Sequence, residues 1–287
     1  MLGLLSGLVA ASIWGGMYVV SKVVLEVIPP FTLLSLRLIL GAIVLGGIVL
    51  FRRKNKFTKQ NFRDSFLVGI VGYGISLAFQ FVGTKLSTAS NGALVTSATP
   101  AFVLLFAPYL LGEKSTVRRI IALIISTLGV IAVIDPRTAN LTSSLFVGNL
   151  SLLAAALTWA LYSVLVRKVS LAADLLTSST VMLLAGIPSS ILFSFFELNN
   201  QAVGEITTGI IIGILFLGII STALAMALWN YAFAVLPAAV ASLTFFAQPV
   251  VGTFLGWFFL GEKITLLFIL GGILIGIGLI ISNSEES

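Results

Sequence analysis

Long apolar runs, each closed by a short polar or turn-rich break, set the pattern of this chain. A helix needs about 20 apolar residues to cross the hydrocarbon core of a bilayer. Runs of that order fall near 2–21, 31–51, 66–83, 89–111, 118–134, 146–166, 175–196, 208–231, 238–260 and 264–281. The breaks are tight, as in Glu26–Pro30 (EVIPP), and leave no room for a soluble domain. The expected fold class is an all-α integral membrane protein with ten transmembrane helices. The first run begins at Leu2 with no basic leader and no small-residue cleavage site, so a retained helix is expected there and not a signal peptide.

Composition agrees with a bilayer. The chain has 287 residues, 59% hydrophobic and 9% charged, with a mean hydropathy of +1.16. A soluble domain is roughly a quarter charged. Neither cysteine nor histidine occurs, which removes disulfides, thiol and imidazole chemistry and the usual zinc ligands. No metal or cofactor is expected. The net charge of +6 reflects loop lysines and arginines, so orientation explains it better than nucleic acid. With the N-terminus inside, cytoplasmic loops hold Arg52, Arg53, Lys54, Lys56, Lys59, Arg63, Lys114, Arg118, Arg119, Arg167 and Lys168. Outside loops hold Lys85, Arg137 and Lys263. Both termini are therefore expected in the cytoplasm, with the chain in the cell membrane.

A small signature occurs twice. Leu111-Gly112-Glu113-Lys114 follows the fourth run and Leu260-Gly261-Glu262-Lys263 the ninth, 149 residues later. Pro100 and Pro249 each precede the glycine by 12 residues, and Gly129 pairs with Gly278 at the same separation. Trp14 with Trp159, and Lys22 with Arg167, match at 145. A five-span unit is used twice, in residues 1–140 and 141–287. Five being odd, the second copy enters the membrane from the opposite side. Inverted repeats of this kind are the usual architecture of secondary transporters, with the substrate near the midplane.

ASIWGGMYVVSK, then PP and LSLRLIL, with STASNGALVTSATPAFVLLFAPYLLGEK and its partner PAAVASLTFFAQPVVGTFLGWFFLGEK, resemble the drug/metabolite transporter superfamily and its EamA-domain group. The likeness covers almost the whole chain. It implies ten helices in two EamA repeats and export or exchange of small organic solutes, amino acids among them. The second half has no evident counterpart of IPPFTLLSLR around Leu171–Met182, which leaves Arg37 without a mate.

Polar and aromatic side chains inside spans should face a cavity or another helix. Trp14, Tyr18 and Ser21 share one helical face, and Trp159, Tyr162 and Ser163 repeat part of it. Tyr73, Ser76 and Gln80 form a second stripe, with Thr222 and Trp229 at the matching places. Asn91, Thr244 and Gln248 complete the set. Candidate substrate-binding residues are Trp14, Tyr18, Tyr73, Gln80, Asn91, Trp159, Tyr162, Trp229 and Gln248. Interfacial anchoring competes for Tyr18, Trp159 and Trp229, and helix packing is the better reading for Ser76, Ser163, Thr222 and Thr244. Trp257 fits an anchor. Pro100 and Pro249 are expected to free a carbonyl and kink their helices, the Gly252/Gly256 and Gly272/Gly276 pairs to allow close internal contact, and each GEK to act as a helix stop.

Glu26, Asp64, Glu113, Asp135, Asp174, Glu197, Glu205 and Glu262 all fall at span ends or loops, and Glu26 is placed to pair with Lys22 four residues earlier. Without a mid-membrane carboxylate, uniport or solute exchange is expected in place of proton coupling. Tryptophan and tyrosine faces suit aromatic or other apolar amino acids and related metabolites. Amphipathic cations, or a scaffold without transport, are the alternatives. No nucleophile–base pair or phosphate loop points to an enzyme, and Asn140–Thr142 (NLT) matches a glycosylation sequon only by pattern. A monomer suffices for this reading.

Overall fold

The computed structural model describes residues 1–52, 57–112, 117–134, 143–170, 173–236, 241 and 244–283. Arg53, Lys54, Lys56, Glu113, Lys114, Asp135, Arg137 and Asn140–Thr142, on which parts of the sequence reading fall, lie outside the described residues, as does the side chain of Arg119. With no water in a bilayer core, each backbone N–H and C=O must find a partner within the chain, which favours helix throughout. The helices are α1 (Leu2–Val27), α2 (Pro30–Arg52), α3 (Lys59–Leu86), α4 (Ala89–Leu111), α5 (Val117–Ile134), α6 (Ser144–Ser170), α7 (Leu175–Leu198), α8 (Thr208–Val235), α9 (Ala247–Leu260, after a 3₁₀ turn at Thr244–Phe246) and α10 (Leu266–Asn283). Among the described residues, 7 helices (α1–α4 and α6–α8) are long and apolar enough to cross a membrane, against the ten crossings expected, and Ala247–Leu260 and Leu266–Gly278 are shorter apolar helices.

The helix ends explain the repeated signature. Gly112 and Gly261 end α4 and α9 with φ of 70° and 64°, the left-handed conformation that glycine adopts without a Cβ penalty. The glutamate after the second glycine does more than sit at the water boundary. Glu262 accepts from the backbone N–H groups of Ala89 (2.6 Å) and Ser90 (2.8 Å), capping the start of α4 in the other half of the chain. Glu197, at the end of α7, caps α2 in the same way through Phe31 N (2.9 Å) and Thr32 N (3.0 Å). Both carboxylates therefore satisfy helix N-termini, where negative charge is stabilising.

Lys22 does not make its expected tie to Glu26. Its ammonium donates to the carbonyls of Thr84 (3.2 Å), Lys85 (2.8 Å) and Ser87 at the end of α3, where the unpaired carbonyls and the helix dipole attract a cation. Arg167 treats α8 identically, through Phe233 O (3.4 Å) and Leu236 O. Thr84 and Phe233, like Ser87 and Leu236, are 149 residues apart.

Packing follows the same rule. α1 lies against α8 and α9, while α6 lies against α3 and α4; α2 packs on α7, α4 on α9 and α5 on α10. Exchanging the first five helices for the last five maps this pattern onto itself. The α1–α9 contact is close enough to need glycine: a Cβ on Gly15 would lie 2.7 Å from the Gln248 carbonyl oxygen, and one on Gly252 would strike Ala93. Gly256 likewise abuts Ser90 and Glu262, so the Gly252/Gly256 pair serves an internal seam.

α3 and α8 each contain a π-helical stretch, Ile70–Ser76 and Phe216–Leu224. Such stretches shift the register of the residues that follow and are frequent at functional sites. α4 is interrupted at Ser97 and Ala98, just before Pro100. Proline there leaves the Thr96 carbonyl without its helical donor, and the Thr99 hydroxyl takes that place at 2.7 Å.

Candidate functional site

The π stretch of α3, the break in α4, the middle of α1 and α6, and the starts of α9 and of its 3₁₀ turn meet at the centre of the molecule. They enclose a cavity of about 20 Å³ lined by Trp14, Met17, Tyr18, Ser76, Leu77, Gln80, Thr96, Thr99, Ala155, Trp159, Met226, Phe245 and Gln248. That volume holds about one water and is far below the several hundred Å³ of an occupied solute site. The cavity is too small for an organic solute in this structure. Two larger surface grooves, about 630 and 670 Å³, lie elsewhere: one between α1, α8 and α9 with an apolar wall of Val20, Ile212, Phe216 and Leu255, the other between α3 and α6.

Five of the nine candidates from the sequence line the cavity: Trp14, Tyr18, Gln80, Trp159 and Gln248. Trp14 and Trp159 meet edge to face with centroids 5.7 Å apart. Their contact joins the two halves at equivalent residues. Trp14 donates through Nε1 to the Ser221 carbonyl at 3.0 Å. Gln80 Nε2 donates to Tyr18 OH (2.7 Å), Tyr18 OH lies 2.8 Å from Thr96 Oγ1, and Gln248 Nε2 donates to the same Thr96 oxygen at 2.7 Å. Two hydroxyls, of Tyr18 and Thr96, thus tie α1, α3, α4 and α9 together.

Trp229, Tyr73 and Tyr162 sit one layer behind. Trp229 is fully buried against Trp14 (5.2 Å between centroids) and Phe245 (4.6 Å), and its Nε1 has no partner. Tyr162 OH lies 3.0 Å from Tyr73 OH and 3.2 Å from Asn230 Oδ1, and Asn230 Nδ2 donates to Ser179 Oγ at 2.8 Å. Tyr18, Trp159 and Trp229 are all buried, so none is an interfacial anchor, whereas Trp257 is exposed on the outer surface.

Asn91 is elsewhere. Its Nδ2 donates to Asn149 Oδ1 (3.1 Å) and Ser87 Oγ (3.3 Å), within the cluster around Lys22 at the end of α3. The packing reading holds for Ser163 and Thr244, which bond back to Trp159 O (2.9 Å) and Ala241 O (2.7 Å). Ser76 both lines the cavity and donates to Ala155 O at 2.9 Å.

Arg37 is fully buried just behind Met17. Its Nε donates to Thr222 Oγ1 (2.8 Å), one terminal nitrogen to Met17 Sδ (3.4 Å), the other reaches Ser221 Oγ (3.5 Å), and the guanidinium carbon stands 4.9 Å from the Phe81 ring centroid. No carboxylate is within ion-pair distance of it among the described residues.

Sequence reasoning missed Thr96, Thr99, Met226 and Phe245. Of these, Thr99 carried a signal, since it lies 149 residues before the candidate Gln248; Leu77 with Met226 and Thr96 with Phe245 are also 149 apart, but neither member of either pair stood out in the sequence. The equivalence also exposes a difference. Thr96 in the first half is matched by Phe245 in the second, and Gln80 by Trp229, which lies one layer behind the lining.

The comparisons with known proteins agree with this architecture. The EamA-like transporter family matches residues 1–134 and again 146–284. The chain is similar to the "Uncharacterized transporter YoaV" of Bacillus subtilis (strain 168), 28% identical over 285 residues that cover 99% of this chain and 96% of the relative. It is also similar to an "Uncharacterized transporter" of Archaeoglobus fulgidus, 27% identical over 268 residues covering 93% and 94% of the two chains. A chain of known crystal structure shares the fold at a TM-score of 0.71 and 20% identity, over 98% of this chain and 96% of that one. Two consecutive matches spanning nearly the whole sequence leave one conclusion: this multi-pass membrane protein belongs to the EamA-like transporter family.

Proposed function

We propose that the protein is a secondary transporter that exports or exchanges amino acids with aromatic or other apolar side chains, and related metabolites, by alternating access. The observation that carries the reading is a cavity to which both halves contribute equivalent residues, Trp14 with Trp159, Leu77 with Met226, Thr96 with Phe245 and Thr99 with Gln248. Two halves, residues 1–140 and 141–287, with five crossings each and opposite orientation in the cell membrane, would exchange outward- and inward-open shapes by parting on alternate sides of that cavity. Both termini are then cytoplasmic, by the loop charges. The closed cavity is the state between the two openings. Its aromatic residues Trp14, Trp159 and Phe245 suit an apolar side chain, and its polar residues Gln80, Thr96 and Gln248 a hydrogen-bonding head group.

Exchange or uniport is favoured over proton coupling, because Glu197 and Glu262 serve as caps at helix ends and none of the cavity residues is a carboxylate. The test is phenylalanine flux in sealed proteoliposomes: unlabelled phenylalanine inside is expected to accelerate uptake of labelled phenylalanine from outside. Steep uphill uptake driven by a pH jump alone would refute the exchange reading. A vesicle preparation that carries no solute would refute transport of this class altogether.

A further inference from the structure

The cavity's hydrogen bonds can be counted proton by proton. Thr96 Oγ1 lies 2.6 Å from the Gly92 carbonyl oxygen, which has no hydrogen to give, so the Thr96 proton is spent there. Tyr18 OH, 2.8 Å from Thr96 Oγ1, must then be the donor to it. With its one proton used, Tyr18 can only accept from Gln80, which requires the amide nitrogen of Gln80 at that 2.7 Å contact. The chain of donors thereby fixes the orientation of the Gln80 amide. Its Oε1 is turned away, buried and without a partner.

The remaining hydroxyl protons of the wall, and both amide protons of Gln248, are also committed. Gln248 Nε2 donates to Thr96 Oγ1 (2.7 Å) and Ala93 O (3.2 Å), Ser76 to Ala155 O (2.9 Å) and Thr99 to Thr96 O (2.7 Å). A ligand at this wall finds no spare hydroxyl proton. It finds an acceptor, and an acceptor on a buried amide is satisfied best by a charged N–H donor.

Charge limits which donor is suitable. Arg37 holds a positive charge behind Met17, with no counter-ion among the described residues. A bare ammonium brought into the cavity would add a second like charge in a medium of low dielectric. A ligand that carries its own carboxylate avoids that penalty and supplies the negative group that Arg37 lacks.

We propose that Gln80 is the specificity-determining residue for the ammonium group of a zwitterionic amino acid, received by its unpartnered Oε1, with the carboxylate toward the Arg37 side and the apolar side chain against Trp14 and Phe245. This rests on the transport reading above. The experiment is competition against labelled phenylalanine exchange in proteoliposomes by phenylalanine, 2-phenylethylamine, which lacks the carboxylate, and 3-phenylpropionate, which lacks the ammonium.

Wild-type protein should favour phenylalanine over either one-ended analogue by about tenfold or more, as expected for loss of one charge-assisted bond. Gln80→Met should weaken phenylalanine by about the same factor and leave 3-phenylpropionate unchanged. Should Gln80→Met not fold, Gln80→Glu, which keeps an acceptor, decides: improved competition by 2-phenylethylamine supports the assignment, and no improvement overturns it. The assignment is also overturned if 3-phenylpropionate competes as well as phenylalanine, or if Gln80→Met weakens both equally, with transport itself intact. Exchange of none of the three by wild-type protein would instead overturn the transport reading, and this inference with it.

Discussion

Around Arg37, the Met17 sulfur, the Ser221 and Thr222 hydroxyls and the Phe81 ring enclose a guanidinium; around Tyr162, the Met182 sulfur, the Tyr73 hydroxyl and the Asn230 amide enclose a phenol. These are the same places in the two halves. Met17 corresponds to Tyr162 and Arg37 to Met182 at a separation of 145, while Tyr73 corresponds to Thr222 and Phe81 to Asn230 at 149. The duplicated scaffold keeps the niche and changes its chemistry. One niche is neutral, with its polar atoms paired to one another, and it contributes to holding the halves together. The other keeps a charge with no counter-ion among the described residues, which costs stability and is retained in membranes chiefly where function needs it.

The comparison can be broken most severely by making the niches alike in charge. Met182→Arg places a second cation beside Tyr162, in a site that is 1% exposed, and should destabilise the fold by about 4 kcal/mol, seen as a collapse of thermal stability in detergent. The reverse change, Arg37→Met, makes the first niche neutral like the second. Its expected result is unchanged or raised thermal stability, with exchange reduced by about 3 kcal/mol, on the order of a hundredfold. A fall in stability to match the lost flux would mean that Arg37 is structural. Thr222→Val removes the 2.8 Å acceptor of Arg37 Nε and should cost about 2 kcal/mol of unfolding stability. Tyr73→Phe at the equivalent place should cost about 1 kcal/mol, since Asn230 remains 3.2 Å from Tyr162 OH. Equal losses for these last two would erase the distinction between a charged and a neutral niche.

Much of the fold was legible because backbone chemistry in a bilayer leaves one option. Apolar runs had to be helices, and Gly112 and Gly261 marked their stops because a left-handed cap favours glycine. Trp14 and Trp159 were legible as equivalent positions from their spacing, though not as rings in contact. What the sequence concealed were partnerships made in three dimensions. Lys22 and Glu26 are four apart on α1, yet the carbonyls at the end of α3 hold the ammonium, and no local rule reveals a neighbouring helix end. Asn91 lies in a span, so its amide had to face something polar; whether that was a cavity or Asn149 depends on where α6 passes. The π stretches of α3 and α8 have no compositional mark, and they alter which residues of the Tyr73–Gln80 stripe face inward. Arg37 was visible as an unmatched arginine, but its enclosure by Ser221, Thr222 and Phe81 required the second half to be folded over the first.

Side-specific labelling tests the central claim most directly. The chain has no cysteine, so Ser76→Cys places a single thiol on the cavity wall. Membrane-impermeant thiol reagents would be applied to right-side-out and inside-out vesicles, with and without saturating phenylalanine. The account predicts labelling from either side, slowed by phenylalanine in both; labelling from one side alone, or from neither, would contradict it.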